Sequence, residues 1–262
     1  DTELEMIREL LRQPSGLILV AGPVASGKSS TLYAMVDELN DGSRKIHTLE
    51  DPIEHSIPGV IQSQINERAN LGFAELLSTV LRHSPDVIMI GEIRDAETAD
   101  IAIKSSLTGH LVLSTLHTNS AVNAISRLGD MGVADYLVGA TLRLVIAQRL
   151  VRRLCPKCRE PVELTAAEAI GLGHPDAAGQ TAFVPKGCLY CAGRGMIGRI
   201  GLFEMLAVDE EISRAISVGK PESDICKLAA DSNCKRLVGD ALAKILAGQT
   251  SVREALSAVT VW

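Results

Sequence analysis

The chain has 262 residues, 46% of them hydrophobic, which is enough for one sizeable core and a small additional unit. A net charge of −6 and an aromatic content of 3% argue against nucleic acid as a partner, because duplex-binding surfaces are cationic and single strands stack on rings. The longest apolar stretch, residues 136–151, contains Arg143, Gln148 and Arg149, so we expect no transmembrane segment and a soluble chain.

The start of the sequence and the cysteine content bear on the compartment. Residues 1–5 have neither the basic region nor the apolar core of a secretory signal, so we expect a cytoplasmic protein. Thiols stay reduced in that compartment. Paired cysteines among the six in the chain are therefore better explained by metal binding than by disulfides.

A phosphate-binding loop is the strongest signal in the chain. After a helical pattern in residues 1–13, the apolar run 17–20 predicts a strand, residues 22–29 read G-x-x-x-x-G-K-S, and residues 30–39 predict a helix. A chance match in a glycine-rich turn is the alternative, but it rarely comes with both flanking elements. Backbone N–H groups of such a loop surround phosphate oxygens, its lysine reaches the outer phosphates and its serine binds Mg²⁺. The predicted nucleotide site comprises Gly22, Pro23, Val24, Ala25, Ser26, Gly27, Lys28, Ser29 and Ser30.

An acidic cluster follows the next predicted strand, residues 45–49. Glu50, Asp51 and Glu54 lie where that strand ends, and ligands of open α/β sheets bind beyond the carboxyl ends of the strands. These carboxylates could polarise the attacking water or position Mg²⁺ through other waters; the alternative is a solvated acidic turn. We favour the functional interpretation because Pro52 constrains the turn.

Two further strands deliver candidate site residues. Residues 73–82 predict a helix, and the unalternating apolar run 86–90 predicts a fully buried strand that ends at Glu92. Glu92 would bind Mg²⁺ through water or orient the attacking water. A strand over residues 110–115 precedes His117, which could contact the γ-phosphate or be purely structural. Strands that alternate with helices up to residue 118 predict a parallel sheet.

The remainder of the chain is predicted to be mainly helical around a metal site. Residues 119–131 and 134–154 have helical spacing, and residues 209–260 divide into short helices with breaks at Gly219 and Gly248. Two C-x-x-C knuckles predict one structural zinc, with a redox pair as the alternative. Their cysteines are Cys155, Cys158, Cys188 and Cys191.

The segment between the knuckles and the two remaining cysteines are not predicted to form a site. The segment between the knuckles is rich in alanine, glycine and proline and is expected to be a protruding loop. Cys226 and Cys234 have no partner knuckle and are interpreted as ordinary thiols.

Taken together, the sequence resembles the motor ATPases of type II secretion and type IV pilus assembly, a hexameric RecA-like family. The resemblance covers essentially the whole chain and rests on four blocks in order. They are the phosphate loop, an "Asp box" at residues 48–55, a Walker-B block at 91–95 and a "His box" at 108–119. The knuckles and residues 198–204 resemble the secretion and assembly branch, because retraction motors lack such knuckles.

This resemblance implies an α/β fold: a RecA-like P-loop NTPase core with a parallel sheet in residues 1–150, a four-cysteine zinc-binding subdomain in residues 151–203 and a helical subdomain in residues 204–262. It implies Mg²⁺-dependent ATP hydrolysis by a cytoplasmic hexamer that works with inner-membrane platform proteins and without nucleic acid. A nucleotide-gated docking module and a pilus-retraction-type motor are the alternatives.

The resemblance also implies roles for individual residues. Glu54 would be the base that activates water, with Glu50 and Asp51 in support, Glu92 the Walker-B acid and His117 the γ-phosphate sensor. Charge on the leaving phosphate would be relieved by Arg82, by Arg94 or by an arginine of a neighbouring subunit.

The sequence departs from the family pattern in places. Val24, Ala25 and Ser29 replace the usual threonine, glycine and threonine of the loop. Ser29 keeps the hydroxyl that binds Mg²⁺, whereas Ala25 could restrict the backbone of the turn. The resemblance implies a preceding domain that supplies arginines to the nucleotide; these 262 residues do not include it, so we expect weak hydrolysis by this stretch alone.

Overall fold

The structure is a computed structural model that describes residues 2–69, 71–231 and 236–259; Cys234 lies outside them. The chain clusters into two compact units. The first comprises Asp1–Pro23, Lys28–Ile146 and Met205–Cys234, and the second comprises Val24–Gly27, Ala147–Glu204 and Lys235–Trp262. The three-part division into residues 1–150, 151–203 and 204–262 stays a prediction.

Helices and strands alternate in the first half of the chain, and helices predominate near its end. The elements up to residue 141 are α1 (Thr2–Leu11), β1 (Gly16–Ala21), α2 (Lys28–Leu39), β2 (Ile46–Glu50), β3 (Ile61–Gln64), α3 (Phe73–Leu81), β4 (Val87–Ile90), α4 (Ala96–Leu107), β5 (Leu111–Leu116), α5 (Ala121–Asp130) and α6 (Asp135–Thr141). The later elements are β6 (Leu142–Leu154), β7 (Arg159–Glu163), α7 (Ala166–Gly171), β8 (Thr181–Pro185), β9 (Met196–Ala207), α8 (Glu210–Ser217), α9 (Glu222–Asp231), α10 (Leu237–Leu246) and α11 (Val252–Val259).

The main sheet has the strand order β3-β2-β4-β5-β1-β6-β9. Strands β3, β2, β4, β5 and β1 are paired in parallel. Every residue of β1, β4 and β5 is buried, which explains their continuous apolar sequences, because a parallel strand is covered on both faces. The predicted α/β fold with a parallel sheet is confirmed. The carboxyl ends of these strands therefore share one edge of the sheet.

The predicted helix over residues 134–154 is wrong. The short helix α6 ends at Thr141, and the thirteen-residue strand β6 follows. Periodicity alone cannot distinguish a strand from a helix in a continuous apolar run such as the buried stretch 144–147. The β-branched residues Val145, Ile146 and Val151 favour the extended conformation.

The predicted protruding loop between the knuckles is also wrong. Strands β7 and β8 form an antiparallel pair, and helix α7 between them begins with a capping box formed by Thr165 and Glu168. The segment contributes to the core of the second unit, which also includes residues of β6, β9, α10 and α11. The buried residues of that core are Val151, Leu164, Ala169, Leu172, Ala177, Ala182, Leu202, Ala241, Ile245, Val252 and Ala255. Small residues make this segment resemble a loop, but here they allow close packing.

The helical tail agrees with its prediction. Asp209 caps α8 by accepting a hydrogen bond from the backbone N–H of Ile212 (2.8 Å), and α9, α10 and α11 follow. Gly219 and Gly248, the predicted breaks, have φ values of 67° and 65° and end helices α8 and α10. Within the part of the chain that the structure describes, no helix is both long enough and apolar enough to cross a bilayer.

Candidate functional site

The phosphate loop joins the end of β1 to the start of α2, as the sequence predicts. Lys28 is the first residue of α2, and Ser29 and Ser30 follow in its first turn. The ammonium of Lys28 donates hydrogen bonds to the carbonyl oxygens of Gly22 (2.9 Å) and Pro23 (3.0 Å). A cation at the amino terminus of a helix, beside a loop of backbone N–H groups, is suited to bind a phosphate chain.

Ala25 carries the main departure of this loop from the family pattern. Its φ is +61°, a left-handed conformation that glycine adopts freely and alanine does not. The restriction that the sequence suggested at Ala25 is therefore present. The next residue, Ser26, is buried, and its hydroxyl makes no hydrogen bond with the described residues.

Charged residues from three neighbouring strand ends form one connected group. Glu92, two residues beyond β4, accepts a hydrogen bond from the guanidinium of Arg94 and lies 3.2 Å from Nε2 of His117, the residue that follows β5. Arg94 also lies 3.7 Å from the carboxylate of Asp51, the residue that follows β2. The parallel register, which pairs Ile90 with Ser114, brings these ends together.

The pKa of Glu92 reflects this group. Burial alone would raise it, but the hydrogen bond and charge of Arg94, together with His117, lower it below the ordinary value of 4.5. A carboxyl group whose pKa is lowered by folding adds stability above its unfolded-state pKa and loses that stability as the pH falls through its folded-state pKa. Because its pKa is lowered, Glu92 is ionised at neutral pH.

Replacing Arg94 should raise the pKa of Glu92. In Arg94→Gln the strongest stabilising charge is removed while burial remains, so the carboxylate should bind a proton at a higher pH. NMR titration of the Glu92 carboxyl carbon measures this shift directly. Arg214→Gln, which removes the exposed Arg214–Glu210 pair on α8, is the matched control. An unchanged pKa in Arg94→Gln would contradict the ion pair.

The other carboxylates of the acidic cluster have different environments. Glu50 is 3% exposed, and its carboxylate accepts hydrogen bonds from Thr48 (2.5 Å), Gln62 (3.0 Å) and the hydroxyl of Tyr33. Glu54 is exposed, and its backbone N–H donates to the same tyrosine hydroxyl (3.1 Å). Within the described residues, no hydrogen bond or ion pair joins the Glu54 carboxylate to Glu92 or His117. The catalytic roles of Glu50 and Glu54 stay predictions.

Two other basic residues lie apart from this group. Arg82 caps the end of α3 before β4 begins, so its backbone is at the opposite end of β4 from Glu92. Its proposed contact with a leaving phosphate stays a prediction. His110 precedes β5, and its Nδ1 lies 3.0 Å from the carbonyl oxygen of Ser105, which suits a structural role.

Sequence reasoning missed Tyr33 and Gln62. Tyr33 lies on α2 and Gln62 on β3, 17 and 12 residues from Glu50, and no spacing rule connects them with it. The available signal was compositional, because a tyrosine on the phosphate-loop helix is one of only three in the chain.

The second unit contains the four predicted cysteine ligands in one cluster. Their sulfur atoms all lie within 4.8 Å of one another, with separations of 3.9 Å for Cys155–Cys188 and 3.8 Å for Cys158–Cys191 and Cys188–Cys191. Four thiolates that bind one zinc tetrahedrally at about 2.3 Å are about 3.8 Å apart. The cluster therefore fits a tetrahedral metal ion.

Backbone hydrogen bonds lower the pKa of one of these thiols. Burial would raise the pKa of Cys191, but hydrogen bonds from the backbone N–H groups of Cys188 (3.2 Å) and Gly195 (3.1 Å) lower it to about 6. The pKa of Cys158 is raised to about 12 by desolvation and by neighbouring thiols. A cation at the centre of the cluster would stabilise the deprotonated form of Cys158, since metal ligation deprotonates thiols.

Known proteins are similar to this chain along nearly its whole length. A family model described as "Type II/IV secretion system protein" matches residues 1–257. Type II secretion system protein E of Aeromonas hydrophila is 47% identical over 96% of this chain and 50% of its own length. The type IV pilus assembly ATPase PilB of Thermus thermophilus is 42% identical over 97% of this chain and 29% of its own length.

A solved structure agrees with these sequence matches. The crystal structure of the pilus retraction motor PilT with bound ADP has a TM-score of 0.72 and 27% identity, and the match covers 96% of this chain and 63% of that one. The chain thus spans about half the length of the secretion relatives that it matches. With both the family model and close relatives covering almost all of its residues, the chain belongs to the type II/IV secretion system protein family.

Proposed function

We propose that this chain is the motor portion of an ATPase that powers protein secretion or pilus assembly. The observation that carries the proposal is the phosphate loop at the same sheet edge as the connected group Glu92, Arg94 and His117. Family membership supports it, since relatives are named as secretion system proteins and as a pilus assembly ATPase.

The candidate site residues have distinct roles in the proposed reaction. Lys28 and the backbone N–H groups of the loop bind the outer phosphates of ATP, and the hydroxyl of Ser29 would hold Mg²⁺, which neutralises phosphate charge when bound. Glu54 accepts the proton of the attacking water. Glu92 orients that water, His117 contacts the γ-phosphate, and Arg94 relieves the charge that develops on it.

Glu54→Gln in the full-length protein tests the proposed base. The amide keeps the size of the side chain but cannot accept a proton, so kcat for ATP hydrolysis should fall by about 100-fold while ATP still binds. Phosphate release and equilibrium nucleotide binding measure the two quantities. The matched control is Glu211→Gln, which changes an exposed glutamate in the first turn of α8. Unchanged hydrolysis in Glu54→Gln would refute this assignment.

We also propose that the four-cysteine cluster binds a structural zinc ion, supported by sulfur separations that suit tetrahedral ligation. Four protein ligands leave no open position on the metal for a substrate. The ion would therefore stabilise the second unit rather than take part in hydrolysis.

The proposed partners follow from the family. We propose a homo-oligomer, a hexamer in the full-length protein, which acts in the cytoplasm on inner-membrane secretion or pilus platform proteins. The net charge of −6 and the scarcity of aromatic residues disfavour nucleic acid as a partner.

A further inference from the structure

Tyr33 connects the helix that follows the phosphate loop with the acidic turn after β2. It lies on α2, five residues beyond Lys28, and is 5% exposed. Its ring stacks on the ring of His55, with centroids 4.3 Å apart and an angle of 27° between the planes. A side chain anchored in α2 thus packs directly against the turn that contains Glu54.

The hydroxyl of Tyr33 forms hydrogen bonds with the last residue of β2 and with this turn. It donates to the carboxylate of Glu50 and accepts from the backbone N–H of Glu54 (3.1 Å). A hydroxyl that donates to a charged acceptor keeps its lone pairs available for a second donor. The pKa of Tyr33 is raised by burial and by the hydrogen bond to Glu50, so the hydroxyl keeps the proton that this arrangement needs.

Glu50 is itself held in a defined orientation. Besides Tyr33, its carboxylate accepts hydrogen bonds from Thr48 and Gln62, and the same Gln62 side chain donates to the carbonyl oxygen of His55 (3.1 Å) and accepts from the backbone N–H of Ile57 (2.7 Å). Tyr33 and Gln62 each bind the backbone of the turn, and each also donates a hydrogen bond to the buried carboxylate of Glu50. This buried network has a structural function in addition to any electrostatic effect of Glu50.

We propose that Tyr33 is a positioning residue that, through its hydroxyl, fixes the backbone of Glu54 relative to the phosphate-binding end of α2. The inference rests on the proposed role of Glu54 as the base. A carboxylate on an exposed turn gains catalytic effect only when its distance from the bound phosphate is restricted, and Tyr33 provides that restriction from the same helix that begins with Lys28.

Tyr33→Phe isolates the hydroxyl, because it keeps the ring that stacks on His55. In the full-length protein we expect kcat for ATP hydrolysis to fall about tenfold with little change in nucleotide affinity. In a Glu54→Gln background, Tyr33→Phe should cause no further fall in kcat, because both changes act through one group. Tyr136→Phe, at an exposed tyrosine on α6, is the matched control.

Hydrogen exchange gives a readout that does not depend on activity. The amide of Glu54 should exchange about five to ten times faster in Tyr33→Phe than in the wild type, because it loses its acceptor. The Tyr136→Phe control should leave this rate unchanged. Thermal unfolding of each variant shows that the comparison is made on folded protein.

The outcomes separate this inference from the function on which it rests. Two results would overturn the positioning role of Tyr33. One is an unchanged exchange rate of the Glu54 amide in Tyr33→Phe, and the other is the same fold-decrease in kcat when Tyr33→Phe is made in the wild type and in Glu54→Gln. Absence of ATP turnover in the wild-type assembly overturns the proposed function instead. Faster exchange together with a non-additive kcat effect supports the inference.

Discussion

Lys28→Ala should lower the rate of ATP hydrolysis by the full-length assembly by about 100-fold or more. The ammonium of Lys28 is held against the carbonyl oxygens of Gly22 and Pro23, next to the helix terminus where the outer phosphates would lie. Alanine removes the charge that would offset the charge of those phosphates. Steady-state phosphate release measures the rate, and a nucleotide-binding titration measures the accompanying loss of affinity.

The control for this substitution is Lys227→Ala, which removes an exposed lysine of α9 that pairs with Asp224. This variant should hydrolyse ATP at the wild-type rate. If Lys28→Ala hydrolysed ATP as fast as the wild type, the proposed nucleotide site would be wrong, whatever the rate of the control.

Cys188→Ser should remove the metal ion and destabilise the second unit. Zinc content is expected to fall from about one ion per chain to near zero, and the midpoint of thermal unfolding by about 10 °C or more, because zinc binding contributes directly to the folding free energy. The ion would join two knuckles that are 33 residues apart in sequence. Metal analysis and calorimetry measure the two effects.

The matched control is Cys226→Ser, which changes an exposed cysteine outside the cluster. It should retain both the zinc content and the unfolding temperature of the wild type. Full zinc occupancy in Cys188→Ser would show that the four sulfurs do not act as one ligand set.

The elements predicted correctly are those whose signals are local. The phosphate loop was recognisable because strand, glycine-rich turn and helix follow one another within residues 16–39. The completely buried strand β4 produces an apolar run that ends near Glu92, and the knuckles have a fixed spacing of ligands. Each of these signals is contained in a short segment.

The features that sequence reasoning missed depend on distant contacts or on ambiguous periodicity. The sequence predicts a helix where strand β6 lies, because the aliphatic residues of β6 fit both the helical and the strand period. The antiparallel pair of β7 and β8 packs on a core that includes α10 and α11, which begin more than 50 residues after β8 ends. The bonds of Tyr33 to Glu50 and Glu54 similarly join separate segments.

The close approach of the cysteine sulfurs has a consequence for the chemical stability of the chain. Sulfur atoms that are 3.8 or 3.9 Å apart must approach by about 1.8 Å to reach the disulfide bonding distance of about 2.05 Å. If the cluster binds a metal ion as proposed, removal of that ion in air would expose these pairs to oxidation and covalent cross-linking. A bound cation would protect the thiols, and treatment with a chelator would call for a reducing agent.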